Sequence, residues 1–372
     1  MRKLYFVFLF IAIFFIYSCK SGSEPNESEN IIIQPSASGG MYHSMILKSD
    51  GTLWGAGLNS NGQLGTGDKV DRATFVQVAS DVIQVAAGGS HTIILKKDGT
   101  VWVTGLNSSG QLGTGDNVEK TSFTQVESNV KYIATANAYT FIIKNDGSLW
   151  ATGANYGQFG NGSSGGSTNS FIQIATGVKQ VALGHEHSII LKNDGSVWTS
   201  GNNDNGQLGM GDNTFRNTFT QATTGASFVA AGSKSSFVIK NNELYVTGYN
   251  VFGQLGIGDN TDRLSFQKIT TISNVNSVYS ANFGGSHTII ILTDGTIMVT
   301  GVNTFGQLGV GNKSDRNTFL LLSHTDVKAI GVGIFHSIML KGSDWYTTGL
   351  NNNKQLGLGD TTDRVSFVKT NF

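Results

Sequence analysis

Five histidines stand in one recurring slot of this 372-residue chain: His43, His91, His187, His287 and His336, with Tyr139 and Ser235 filling the slot twice more. Imidazoles in a set are metal-ligating chemistry in principle. One metal ion needs three or four ligands at about 2 Å, however, and these lie a whole repeat or more apart. Tyr and Ser in two positions point instead to hydrogen bonding within the fold. His185-Glu186-His187 makes a local cluster that nothing nearby completes. Asp68, Asp116, Asp212, Asp259 and Asp360 each close a Gly-x-Gly-Asp phrase, which raises calcium. Calcium wants six to eight oxygens with several acids converging. Here a cation follows each acid shortly afterwards, at Arg72, Lys120, Arg216, Arg263 and Arg364, with Arg316 in the same place in another copy. A local carboxylate–cation bond is the simpler expectation. Gly306 to Ser314, GQLGVGNKS, nearly imitates a phosphate-binding loop, but Asn312 intervenes before Lys313 and no helix follows. No Ser-His-Asp order or paired-carboxylate motif stands out. The residues predict no enzyme, no cofactor and no metal.

These residues sit in a frame that repeats. A phrase of about twelve residues recurs seven times, from GLNSNGQLGTGD at Gly57 to GLNNNKQLGLGD at Gly349, with its glutamines at Gln63, Gln111, Gln158, Gln207, Gln254, Gln307 and Gln355. A steady spacing of 47 to 53 residues marks one supersecondary unit that buries its apolar face only against its neighbours. In the second copy Val82, Val85 and Ala87 alternate as a half-buried strand, HTIIL from His91 is a second, and TVWVT from Thr100 returns after Asp98-Gly99. Asp-Gly between β runs signals a tight hairpin. TSFTQV from Thr121 is a fourth short strand. Four strands, seven times, predict an all-β seven-bladed propeller spanning 31–372. Trp54, Trp102, Trp150 and Trp198 occupy one slot and Phe75, Phe123, Phe171, Phe219, Phe266, Phe319 and Phe367 another, both expected to be core between blades. Ile31 to Gln34 and Ser366 to Phe372 are expected to share one blade, so that the two termini close the ring and cover its edges.

Lys+Arg and Asp+Glu both total 25, and charged residues are only 13% of the chain. A nucleic-acid binder needs a basic face, so none is expected. Before the repeats, Arg2 and Lys3 lead into fourteen apolar residues, Leu4 to Tyr17, then Ser18 and Cys19. That is an export signal too short for a comfortable span. A small residue directly before cysteine is similar to the bacterial lipoprotein box, which implies a signal peptide over 1–18, lipidation at Cys19 and a cell-envelope, membrane-anchored location. Residues 19–30 are polar and aperiodic, as in a flexible tether.

The unit GxxHTIILKxDGTVWVTGxNxxGQLGxGD resembles the repeat of the regulator of chromosome condensation family, whose members form seven-bladed propellers. The likeness extends over Ile31 to Phe372. The eukaryotic founder's nucleotide-exchange role is disfavoured here by an export signal and by the lack of an evident insertion; the longest spacing gains only a few residues around Thr270 to Ser277. In general type the chain is also similar to secreted propellers of the β-lactamase inhibitor protein II kind, which hold a target with loops on one face. The expectation is a monomeric module that binds a protein partner. Its anchors should be aromatic residues at the variable loop positions: Tyr42, Tyr156, Phe252, Phe305 and Phe335. The rival expectation is an envelope enzyme, for example one acting on polysaccharide, with acids in the central channel.

Overall fold

The computed structural model describes residues 32–372 except Phe283, and a compact unit spans Ile33–Phe372. Cys19, the expected signal over 1–18 and the tether over 19–30 lie outside the described residues. Among the described residues, twenty-eight strands form seven four-stranded antiparallel sheets. Each sheet takes four consecutive strands in order; blade one runs Ser36–Gly39, His43–Leu47, Leu53–Gly57 and Arg72–Ala79. The inner strands of successive blades neighbour one another, and the inner strand of blade seven (Val327–Val332) returns to that of blade one. This is the expected β-propeller.

The hairpin signals hold. Asp98 Oδ1 accepts from the Thr100 amide at 2.9 Å, and the Thr100 hydroxyl accepts from Trp102 Nε1 at 2.9 Å. Trp102 packs on the core cluster between blades one and two that includes Met45, Leu53, Val82 and Ile94, with Lys96 Nζ 4.6 Å from its ring centroid. The phrase folds around its own polar residues: Asn107 Oδ1 accepts from the Leu112 amide at 3.0 Å, while Gln111 Oε1 accepts from the Ser109 amide at 2.9 Å. Buried backbone groups of a loop need such partners, which is why Asn and Gln recur.

The shared blade is not there. Ile32–Gln34 form no strand, and blade seven is built wholly from Val327–Val332, His336–Lys341, Asp344–Gly349 and Arg364–Lys369. Strand exchange is unnecessary because each phrase loop lies over the outer strand of the next blade. Phe123 of blade two covers Gly65 of blade one, and Phe75 of blade one covers Gly357 of blade seven in the same way. Gly357 has φ +67°, and a Cβ there would stand 2.4 Å from the Phe75 ring, so only glycine fits. Gly359 N donates to Ala73 O at 2.8 Å, matching Gly67 N to Thr121 O at 2.8 Å. The ring therefore closes by the same loop-on-strand joint used elsewhere. Phe75 is 4% exposed. Phe75→Ala should cost about 3–5 kcal/mol, read as a lower midpoint in urea unfolding; an unchanged midpoint would contradict this joint.

Candidate binding face

The histidine slot is a belt between blades. His43 Nε2 meets Thr92 Oγ1 at 3.0 Å, His91 meets Thr140 at 3.1 Å, His187 meets Ser236 at 3.0 Å, His287 meets Ser337 at 3.0 Å and His336 meets Ser44 at 2.9 Å. Tyr139 keeps the pattern by donating to Gly184 O at 2.7 Å. Each of those hydroxyls donates its single proton to a glutamine carbonyl of the preceding blade, such as Thr92 to Gln63 O at 2.7 Å and Ser44 to Gln355 O at 2.6 Å. The histidines must then be the donors, with the proton on Nε2. All five Nδ1 atoms are buried without a partner among the described residues. Burial holds His43, His91 and His336 down to about 3, and His187 and His287 to about 4. The glycine three residues upstream makes room: a Cβ on Gly88 would lie 2.4 Å from His91 Nδ1. The structural expectation for this slot holds.

So does the one for the acids. Arg72, Arg216, Arg263 and Arg364 reach Asp68, Asp212, Asp259 and Asp360 at 2.6–2.7 Å, and Lys120 reaches Asp116 at 2.9 Å. The Arg72 guanidinium and two further donors hold the Asp68 carboxyl down to about 2. Arg316 differs, because Asn312 stands where its carboxylate would be.

Strand order puts the remaining variable residues on one face. The first hairpin of each blade and the long phrase loop open at the same end, since His43 pairs with Gly57 while the Asp-Gly turns lie at the other. Tyr42, Tyr156, Phe252, Phe305 and Phe335 thus share a face. Phe305 of blade six and Phe335 of blade seven come together, with ring centroids 5.0 Å apart. Phe252 of blade five is 41% exposed and stands 6.1 Å from Tyr249, over which Lys234 lies at 5.9 Å. Tyr42 is half-buried and Tyr156 is exposed; among the described residues neither makes a ring contact with the other three. The five do not form one cluster: Phe305 meets Phe335, and Phe252 stands on the adjacent blade five beside Tyr249. Sequence reasoning passed over Tyr249 and Phe215, whose ring lies over Gly157 beside Tyr156. Their slots carry no repeated aromatic, so no periodic signal marked them.

At the centre of this face the hairpins tie to one another. Met41 N donates to Gly89 O at 3.2 Å, Ser233 N to Ala281 O at 2.7 Å, and Asn282 Nδ2 reaches from blade six to Thr135 O of blade three at 3.2 Å. The inner strands carry Lys131, Lys179 and Lys328 but no Asp or Glu. The longest spacing between repeats also builds no projecting arm: Ile269 and Ile272 of that connection are buried in the core beside Leu244 and Val275.

A model of the RCC1-like domain matches residues 75–371, and models of the regulator of chromosome condensation (RCC1) repeat match 50–95 and 36–63. The chain belongs to the RCC1-like family. Among solved structures it is similar in fold to Prp20p from Saccharomyces cerevisiae (TM-score 0.75, 20% identity, 89% of this chain and 88% of that one). It is likewise similar to human WBSCR16 (TM-score 0.76, 20% identity, 86% and 93%). The ultraviolet-B receptor UVR8 of Arabidopsis thaliana is 46% identical over 55 residues. That match spans 14% of this chain and only 12% of the relative's length.

Proposed function

We propose that this RCC1-like propeller is an exported, lipid-anchored module that holds a protein partner on its phrase-loop face, in the sector of blades five to seven. The observation that carries the reading is the contrast between slots. The repeated residues are consumed by joints between blades, whereas the variable loop slots of this sector hold Val251, Phe252, Phe305 and Phe335, of which Val251 and Phe252 are 48% and 41% exposed. Aromatic anchors on a rigid scaffold lose little conformational entropy on binding. The corresponding loop slots of blades one, two and four, outside the sector, hold Ser60-Asn61, Ser108-Ser109 and Asp204-Asn205, which are poor anchors. Protein binding by a fold relative is in keeping with this, as Prp20p was characterised for binding Gsp1p and histones.

The test is retention of partners from envelope extract by wild type and by a Phe252→Ala, Phe305→Ala, Phe335→Ala triple variant. A specific partner should lose at least tenfold in yield, since a buried aromatic anchor is worth about 2 kcal/mol or more. Full retention would overturn the assignment of the face. The anchor rests on the apolar run Leu4 to Tyr17 ahead of Cys19. One acyl chain binds membranes marginally, so a stable anchor needs several. Cys19→Ala should abolish palmitate labelling and release the protein from membranes; normal labelling and retention would remove the anchor from the account. The described chain enters at the Asp-Gly end of Ser36–Gly39, opposite the aromatic face.

A further inference from the structure

Arg316 is the one member of its slot without an acid. In blades one, four, five and seven the equivalent arginine bonds the closing aspartate and also donates to a backbone carbonyl two residues upstream, as Arg216 does to Asp212 at 2.7 Å and to Thr214 O at 2.8 Å. In blade six Asn312 takes the aspartate's place; its Oδ1 accepts from the Ser314 amide at 3.0 Å and carries no charge. The Arg316 side chain makes no hydrogen bond or ion pair among the described residues, and its Nε is buried without a partner. Arg316 is half-buried, and only its Nε is shut off from both solvent and an acceptor; a buried donor left unpaired is unfavourable, and a carboxylate is the best geometric match for a guanidinium.

Its surroundings form a receptor. A groove of about 320 Å³ lies between blades five and six, lined by Val251, Phe252, Asn260, Arg316, Asn317 and Thr318. The blades are held close here: a Cβ on Gly253 would meet Asn317 Cα at 2.4 Å, and the Thr300 hydroxyl reaches both Gly253 O and Arg316 O at 2.9 Å. Asp315 also lines the groove, but its carboxylate accepts from the Asn303 amide at 2.7 Å and closes its own loop. The groove is mainly polar; it offers Arg316, whose own loop supplies no closing carboxylate, with Asp315 engaged by the Asn303 amide and the exposed Val251 and Phe252 at its border.

We propose that this groove receives an acidic side chain of the protein partner, whose carboxylate takes the position of the missing aspartate and pairs with Arg316 while the adjoining apolar residue lies on Val251 and Phe252. The inference deepens the protein-binding reading and rests on it. Its test uses the full-length protein and two capped tetrapeptides, Gly-Glu-Leu-Gly and Gly-Gln-Leu-Gly, followed through the Arg316 Nε–H resonance. The glutamate peptide should bind at least tenfold more tightly than the glutamine peptide. Asn312→Asp, which rebuilds the sister loops and so folds, should abolish that preference. Equal binding of the two peptides, an undiminished preference in Asn312→Asp, or tighter competing binding by inorganic phosphate would each overturn the proposal. A failed peptide preference alongside partner loss in the aromatic triple variant would sink this inference alone. Partner retention in that variant would sink the broader reading.

Discussion

Deleting Ser366 to Phe372 should leave the protein largely unfolded at 37 °C. The segment does more than finish an outer strand. Phe367 covers Gly309 of blade six and stacks edge-on with His324 at 5.6 Å. Lys369 and Val368 pair with Tyr346 and Thr347, and Thr370 N donates to Trp345 O at 2.9 Å. Phe372 crosses to blade one, 5.4 Å from Trp54 and 5.3 Å from Phe75, with Lys48 Nζ 4.0 Å from its ring centroid. That crossing matters because the seam between blades seven and one lacks a bond made at the other six. There Thr104, Thr152, Ser200, Thr247, Thr300 and Thr348 each donate to a carbonyl of the preceding blade. Blade one has Ala56 in that slot, which has no hydroxyl. Losing Phe367 alone should cost about 3–5 kcal/mol, and the whole stability of a domain is about 5–15 kcal/mol. The truncated protein should show exposed apolar surface by dye binding and a collapsed urea midpoint, whereas Phe372→Ala should lower the midpoint only modestly. A truncation that melts with the full-length protein would show that the seam does not depend on this segment.

Acid should unfold the protein well before its carboxylates protonate. The five belt histidines are neutral when folded, with pKa values of about 3 to 4, against 6.5 for an exposed imidazole. The unfolded chain thus binds more protons below pH 6.5, so stability is full above that value and falls as pH drops from 6.5 toward the folded values of about 4 and about 3. Each histidine contributes about 1.4 kcal/mol of loss at pH 5.5 relative to pH 7.5, and the five together about 7 kcal/mol. Urea unfolding at the two pH values measures this directly. Replacing His91 with Gln, which keeps a donor for Thr140, should remove about one fifth of the pH slope. Equal stability at both values would mean that the belt imidazoles are not held neutral.

Much of this was legible in the sequence because the constraint repeats. A slot filled by His five times, a Phe kept seven times and an Asp followed by Arg or Lys each report a contact made in blade after blade. Closure was not legible. Strand counting at the termini suggested a shared blade, but the outer edges are covered by loops, and that shows only when Gly357 is seen against Phe75. The site was legible in type but not in arrangement. Tyr42, Tyr156, Phe252, Phe305 and Phe335 lie on one face because strand order dictates it, yet only the fold shows that Phe305 meets Phe335 and that Phe252 and Arg316 line one groove. Asn312 for Asp is a one-letter change in a long repeat; its consequence depends on where the arginine then lies.

The central claim is that one sector of one face carries the partner. A photo-crosslinking amino acid placed singly at Phe252, Phe305 and Phe335, and at Ser60, Ser108 and Asp204 around the same face, tests it in intact cells. The account predicts one common crosslinked protein from the first three sites and little or none from the others. Equal yields around the ring, or capture from Ser60 and Ser108 alone, would contradict it.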